Sequence, residues 1–207
     1  MTSRPDTRGR RRPTREQTRE RLLAAAGTVF AERGYMQASL DEISATAGLT
    51  KGAIYSNFGS KDELFYALMS SQINDRLSQI TDSIGAHTTF AEFARAAGRV
   101  IRDTTAGDPE WHLTFIEFWT RAMRNPTLRR DFAEHRRAER GAIADYIEGH
   151  AARLGVTLPL PAAQLAITVL ALSNGLAVEQ LIEPETADES LLPVLLEAVA
   201  QAATSLP

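Results

Sequence analysis

The stretch from Ser39 to Lys61, SLDEISATAGLTKGAIYSNFGSK, constrains this chain more than any other. Ser39 followed three residues later by Glu42 is a capping-box opening, and Leu40, Ile43 and Ala47 then recur on one side of a helix. Gly48 stops that helix, because glycine takes the left-handed backbone of a tight turn at little cost. Thr50 is placed to cap the next helix, which is only about two turns long and has Ile54 and Phe58 to bury and little else. A short helix with most of its side chains outward, held across another by Ile43, Ala47, Leu49 and Ile54, is a helix-turn-helix. In that arrangement the second helix enters the major groove of DNA.

With the continuation TKGAIYSNFGSKDELFYALM, the chain resembles tetracycline-repressor-like (TetR family) transcriptional regulators, in which Tyr, a polar residue, Phe and Gly-Ser-Lys follow a small-residue recognition helix. The resemblance is strong over residues 15 to 69 and rests on helical layout elsewhere. It implies an all-α fold of about nine helices, with an N-terminal three-helix DNA-binding head and a C-terminal helical body for ligand binding and dimerisation. The expected divisions are a disordered basic arm at 1–13, the head at 14–59 and the body at 60–207. The implied function is that of a homodimeric repressor, released from partly palindromic double-stranded DNA by a small hydrophobic or amphipathic effector and needing no cofactor. A DNA binder that answers to no effector is the alternative.

The net charge of −3 looks wrong for such a protein until it is divided along the chain. Residues 1–61 carry 11 Lys/Arg against 6 Asp/Glu, and the remainder carries 12 against 20. A basic head on an acidic body puts the phosphate-binding face at the N-terminus. Arg10, Arg11 and Arg12 fall in a stretch with nothing to bury, which serves either as an arm along the groove or as a solvated tail.

Lys51, Gly52 and Ala53 occupy the N-terminal end of the recognition helix, where base edges are reached. Lysine can donate to guanine, alanine can touch a thymine methyl, and glycine permits close approach. The resemblance assigns phosphate contacts to Tyr55, Asn57 and Lys61, with Asn57 standing where the family commonly has His. Ser39 and Thr50, at the starts of the two helices, join them, although a cap alone would also explain Thr50.

Beyond the head, local signals open each helix in turn. Ser60 with Glu63 starts a long connector to about Ile84, and Thr89 with Glu92 starts the next helix. Asp108-Pro109 and Asn125-Pro126 are cap-plus-proline starts, the second opening a charged helix to about Leu154 that reads as a solvated face. Trp111, Phe115, Phe118 and Trp119 form a stripe with His112 and Glu117 beside it. The stripe is either an aromatic core seam or, with Asn174 from a later helix, part of the wall of a ligand cavity. Two final apolar helices carry Leu165, Val169, Leu172 and Leu176, then Leu191, Leu195 and Val199. Laid against the same pair of a second copy they form a four-helix dimer interface, with burial inside one chain as the other reading.

Other classes find little support. There is no cysteine, so thiol and Cys-zinc chemistry are excluded. His87, His112, His135 and His150 are scattered, with no metal-ligand spacing, nucleophile elbow or Gly-rich phosphate loop, so neither catalysis nor a metal site is expected. The aliphatic run near Leu165 to Leu172 is short of a membrane span, which leads to the expectation of a soluble, cytoplasmic protein.

Overall fold

The computed structural model describes residues 14–84, 89–185 and 188–204. The basic arm with Arg10, Arg11 and Arg12, and His87, lie outside the described residues. Among those described, nine helices account for all regular structure: α1 (Arg15–Gln37), α2 (Leu40–Thr46), α3 (Lys51–Asn57), α4 (Lys61–Ser83), α5 (Phe90–Ala106), α6 (Pro109–Arg124), α7 (Pro126–Leu154), α8 (Ala162–Ile182) and α9 (Leu191–Thr204).

Their starts are set by side chains that satisfy the free N–H groups of a first turn. Thr14 with Gln17, and Thr89 with Glu92, close reciprocal capping boxes. Ser39 and Ser60 each accept from the backbone N–H three residues on, but the boxes stay half-made. Glu42 turns to Arg33 and Glu63 accepts from the N–H of Gly59. Thr50 sits at the start of α3 without a side-chain capping bond, so the cap expected there is positional only. Gly34 (φ +70°) breaks α1 before its last turn, and Gly48 (φ +62°) makes the turn between α2 and α3. Arg21 reinforces that turn by donating to the carbonyl of Ala47 at 2.7 Å.

Two cores share α4. The first gathers Phe30 and Tyr35 of α1, Ile43 of α2, Ile54 of α3, Phe65 of α4, and Trp111, Phe115 and Phe118 of α6. The Phe65 ring lies 4.6 to 5.4 Å from those of Phe30, Tyr35, Trp111 and Phe118. Each such ring contributes roughly 1.5–3 kcal/mol by leaving water. The second core lies around Ile80 of α4, with Phe90 and Phe93 of α5, Ile143 and Ile147 of α7, and Leu165 and Leu170 of α8. The helix start at residue 60 is therefore not a packing boundary, because α6 closes the first core.

Helices α5 and α9 pack most intimately. A Cβ placed on Gly98 of α5 would lie 2.5 Å from Cα of Pro193 in α9, so glycine is what allows the approach. An ion pair from Arg95 to Glu197 spans the same seam.

Helix α8 corrects the reading of its apolar run. Ser173, Asn174 and Gly175 interrupt the aliphatic sequence without adding charge, so the helix over Ala162–Ile182 is, by length and composition, apolar enough to cross a membrane, with a mean hydropathy of 1.6. Only 28% of that window is buried inside the chain.

Candidate DNA-binding face and effector cavity

Helix α3 is seven residues long and fastened by its one fully buried side chain, Ile54, with Phe58 at its end. Lys51 and Gly52 are exposed at its N-terminal end, with Ala53 half-buried beside them. The Lys51 ammonium rests on the carboxylate of Asp41 in α2 at 2.8 Å, which raises its pKa. An exposed pair of this kind is worth little, so the lysine can leave it for a base edge. Tyr55 stands out from the surface, more than half exposed. The Asn57 amide instead donates back to the carbonyl of Ala53 at 2.7 Å. Arg19 lies over the Phe58 ring at 4.5 Å.

Lys61 departs from its expected place. Its ammonium donates to the carbonyls of Tyr35 (2.7 Å), Ala38 (2.9 Å) and Met36 (3.4 Å), and sits 4.5 Å from the centre of the Tyr35 ring. Three carbonyls use all three of its protons. Burial, and the nearby Arg121 guanidinium, hold its pKa down. In this geometry Lys61 closes the end of α1 and has no proton left for a phosphate.

Beside it, Asp62 accepts from the Tyr35 hydroxyl and, at 3.0 Å, from Arg121 of α6. Burial and the Asp62 carboxylate push the Tyr35 phenol well above its usual range. Glu117, also on α6, accepts from the N–H of Met36 at 3.2 Å, and its carboxylate occupies the space a side chain on Gly34 would need. So α1, α4 and α6 are tied together by polar bonds at the rim of the first core.

An apolar cavity of about 110 Å³ opens inside the second core. It is walled by α4 (Ile73, Leu77, Ile80), α5 (Phe90, Phe93, Ala97), α7 (Ile143, Tyr146, Ile147), α8 (Leu165, Val169, Ser173) and α9 (Leu196, Val199). A smaller one of about 30 Å³ adjoins it and is lined in part by Trp111, His112, Phe115 and Asn174. His112 is buried and its Nδ1 pairs with the carbonyl of Asp108 at 3.0 Å, while burial holds its pKa below the usual value.

Residues 22–68 match the family described as bacterial regulatory proteins, tetR family, and residues 91–204 match the C-terminal region of BetI-type transcriptional repressors. The chain belongs to the tetR family. Its members are transcriptional regulators that bind DNA, not enzymes. The transcriptional activator FasR of Mycolicibacterium smegmatis is 34% identical over 110 residues, covering 53% of this chain and 50% of FasR. The chain thus spans about half the length of that relative. Among solved structures, a putative TetR-family regulator from Rhodococcus sp. superposes with a TM-score of 0.70 at 22% identity, over 91% of this chain and 98% of that one. FadR from Bacillus subtilis in complex with stearoyl-CoA superposes with a TM-score of 0.64 at 16% identity, over 91% and 99%. These likenesses show the tetR-family fold.

Within that fold the expected pocket residues separate. Trp111, His112, Phe115 and Asn174 border the smaller cavity, whereas Phe118 is fully buried in the first core. Glu117 faces the end of α1, and Trp119 is exposed to solvent. The stripe on α6 faces the head because α1 packs on it, so the larger cavity takes its walls from other helices. Glu139, read as part of a solvated face, is buried between Arg136 (2.7 Å) and His135 (3.1 Å). Spacings of three and four residues marked both pairs, but nothing local showed that this face turns inward.

Of the residues expected at the interface, Leu165 is buried inside the chain, while Val169, Leu172 and Leu176 pack partly against Ile101, Leu192 and Leu196. Leu191, Leu195 and Val199 of α9 remain exposed, and α8 exposes Ile167 and Ile182 instead.

Proposed function

We propose that this chain is a homodimeric repressor, released from a partly palindromic operator by a small apolar or amphipathic effector. The observation that carries the reading is the double duty of α4. Its first half is built into the head's core through Leu64, Phe65 and Leu68, and its second half forms a wall of the apolar cavity through Ile73, Leu77 and Ile80. A molecule filling that cavity acts on the same helix that carries the head.

Lys51, Gly52 and Ala53 are the base-contacting residues in this reading, with Ser39, Thr50, Tyr55 and Asn57 toward phosphates. Two copies would set their α3 helices in successive major grooves about one helical turn apart. Dimerisation is supported by α8 and α9, where Ile167 (51% exposed), Ile182 (76%), Val194 and Leu195 offer apolar surface to a second copy. Regulation as a repressor is supported by the match of more than half the chain to repressors of the BetI type, although FasR is an activator. FadR, of the same fold, holds stearoyl-CoA, which supports an effector with an apolar body. A protein acting on the bacterial chromosome in this way works in the cytoplasm.

Selection of bound duplexes from a randomised pool tests the DNA half of the reading, and a two-fold symmetric consensus is the expected result. Enrichment of no sequence would defeat it. Sedimentation of Ile167→Glu tests the other half, with dissociation to monomers expected and an intact dimer counting against α8 as the interface. Release by effector requires affinity that differs between the two head spacings, with a coupling of about 1–3 kcal/mol.

A further inference from the structure

Arg76 projects from the middle of α4 into a costly place for an arginine. It lines both the larger apolar cavity and the smaller one, together with Ile73 and Leu170, and so stands where the two adjoin. The walls on one side of it are almost wholly aliphatic and aromatic. On the other side are polar ends, those of Gln72, His112, Asn174 and the ion-paired Arg136 and Glu139.

The acids near Arg76 are already committed. The two oxygens of Glu139 are taken by Arg136 and His135. The Asp108 side chain accepts from the N–H of Trp111 as the cap of α6. Both acids favour the Arg76 charge from a distance, yet burial outweighs them and pulls its pKa below the usual arginine range. Among the described residues, no carboxylate forms an ion pair with Arg76. A guanidinium offers five donors in a fixed fork, and leaving them half-buried without an acceptor is unfavourable unless something else supplies one. His112 donates from Nδ1 to the carbonyl of Asp108, so in the neutral ring that burial favours its Nε2 is an acceptor rather than a further donor.

We infer that the effector is an amphipathic anion, with an apolar body in the larger cavity and a single carboxylate-type head held by Arg76 at the junction. A carboxylate matches the guanidinium fork with two parallel hydrogen bonds. Gln72, His112 and Asn174 bound the chamber into which that head points. The inference rests on reading the cavity as the effector site.

Decanoate, 1-decanol and decyltrimethylammonium share a tail and differ in head charge. Their affinities for the full chain, read by tryptophan fluorescence and checked by calorimetry, should rank decanoate at least about tenfold above decanol, with the cation weakest. Arg76→Met keeps the side-chain volume and removes the charge. It should erase the preference for decanoate and leave decanol bound at least as tightly. The wild-type series needs no variant, so a poorly folding mutant does not remove the test. Decanol binding wild type as tightly as decanoate, or a preference for decanoate that survives in Arg76→Met, overturns the anionic head and leaves the effector cavity standing. If none of the three binds the wild-type chain, both readings fall.

Discussion

Replacing Gly98 by alanine adds one methyl group where α5 meets α9. At 2.5 Å from Cα of Pro193 and 2.9 Å from its nitrogen, the new carbon would face backbone, which cannot swing aside as a side chain can. Ordinary contact begins near 3.4 Å, so α9 must move away by close to an ångström. Overpacking of this kind costs about 1–3 kcal/mol, against a helix-propensity gain of up to about 1 kcal/mol for leaving glycine. The steric term wins, and a net loss of about 1–2 kcal/mol is expected. For a chain of this size that lowers Tm by roughly 2–8 °C. Gly141 in α7 supplies the matched control, because a Cβ there meets nothing within 4 Å. The same substitution at Gly141 keeps only the favourable term and should raise stability by about 0.4–1 kcal/mol. Calorimetric melting at one fixed protomer concentration measures both, since association would otherwise shift Tm. A Gly98→Ala protein that melts at or above the wild-type temperature would refute the close seam between α5 and α9.

Three further outcomes follow from the head and α6. Lys61→Ala removes the clamp on the carbonyls of Tyr35, Met36 and Ala38 and should lower Tm; an unchanged Tm with a salt slope reduced by about one would return Lys61 to the phosphates. Lys51→Ala should cost about 1–3 kcal/mol and relax selection at one base position, and equal losses on operator and random DNA would remove it from base readout. His112 is held below its usual pKa of 6.5 by burial, so the folded state resists a proton that the unfolded chain accepts. Stability is therefore full above about pH 6.5 and falls as the pH drops below it. His112→Gln should flatten that decline in melts between pH 5 and 8, and an identical slope in the variant would show that the burial of His112 contributes nothing to it.

Much of the fold was legible because its signals are local. Thr89 with Glu92, Asp108-Pro109 and Asn125-Pro126 each start a helix where the spacing says, since a cap needs only the next three residues. The recognition helix was legible for the same reason. What escaped depends on partners distant in the chain. Lys61 finds its carbonyls 23 to 26 residues upstream, and no periodicity announces them. The aromatic stripe of α6 had two candidate faces, and the packing of α1 decided which became core. On α8 the apolar pattern runs all round the helix, so the sequence could not say which side α7 would cover.

The first core also bears on how such a protein could be rebuilt. Phe118 and Trp111 of α6 complete the shell around Phe30, Tyr35 and Phe65, and Arg121 and Glu117 fasten its rim. A head transplanted onto another regulator as residues 14–59 would leave Phe65 and α6 behind and carry an open wound of apolar surface. Transplants between relatives should therefore move α6 and the first half of α4 along with the head, or else rewrite the face of the host that receives it.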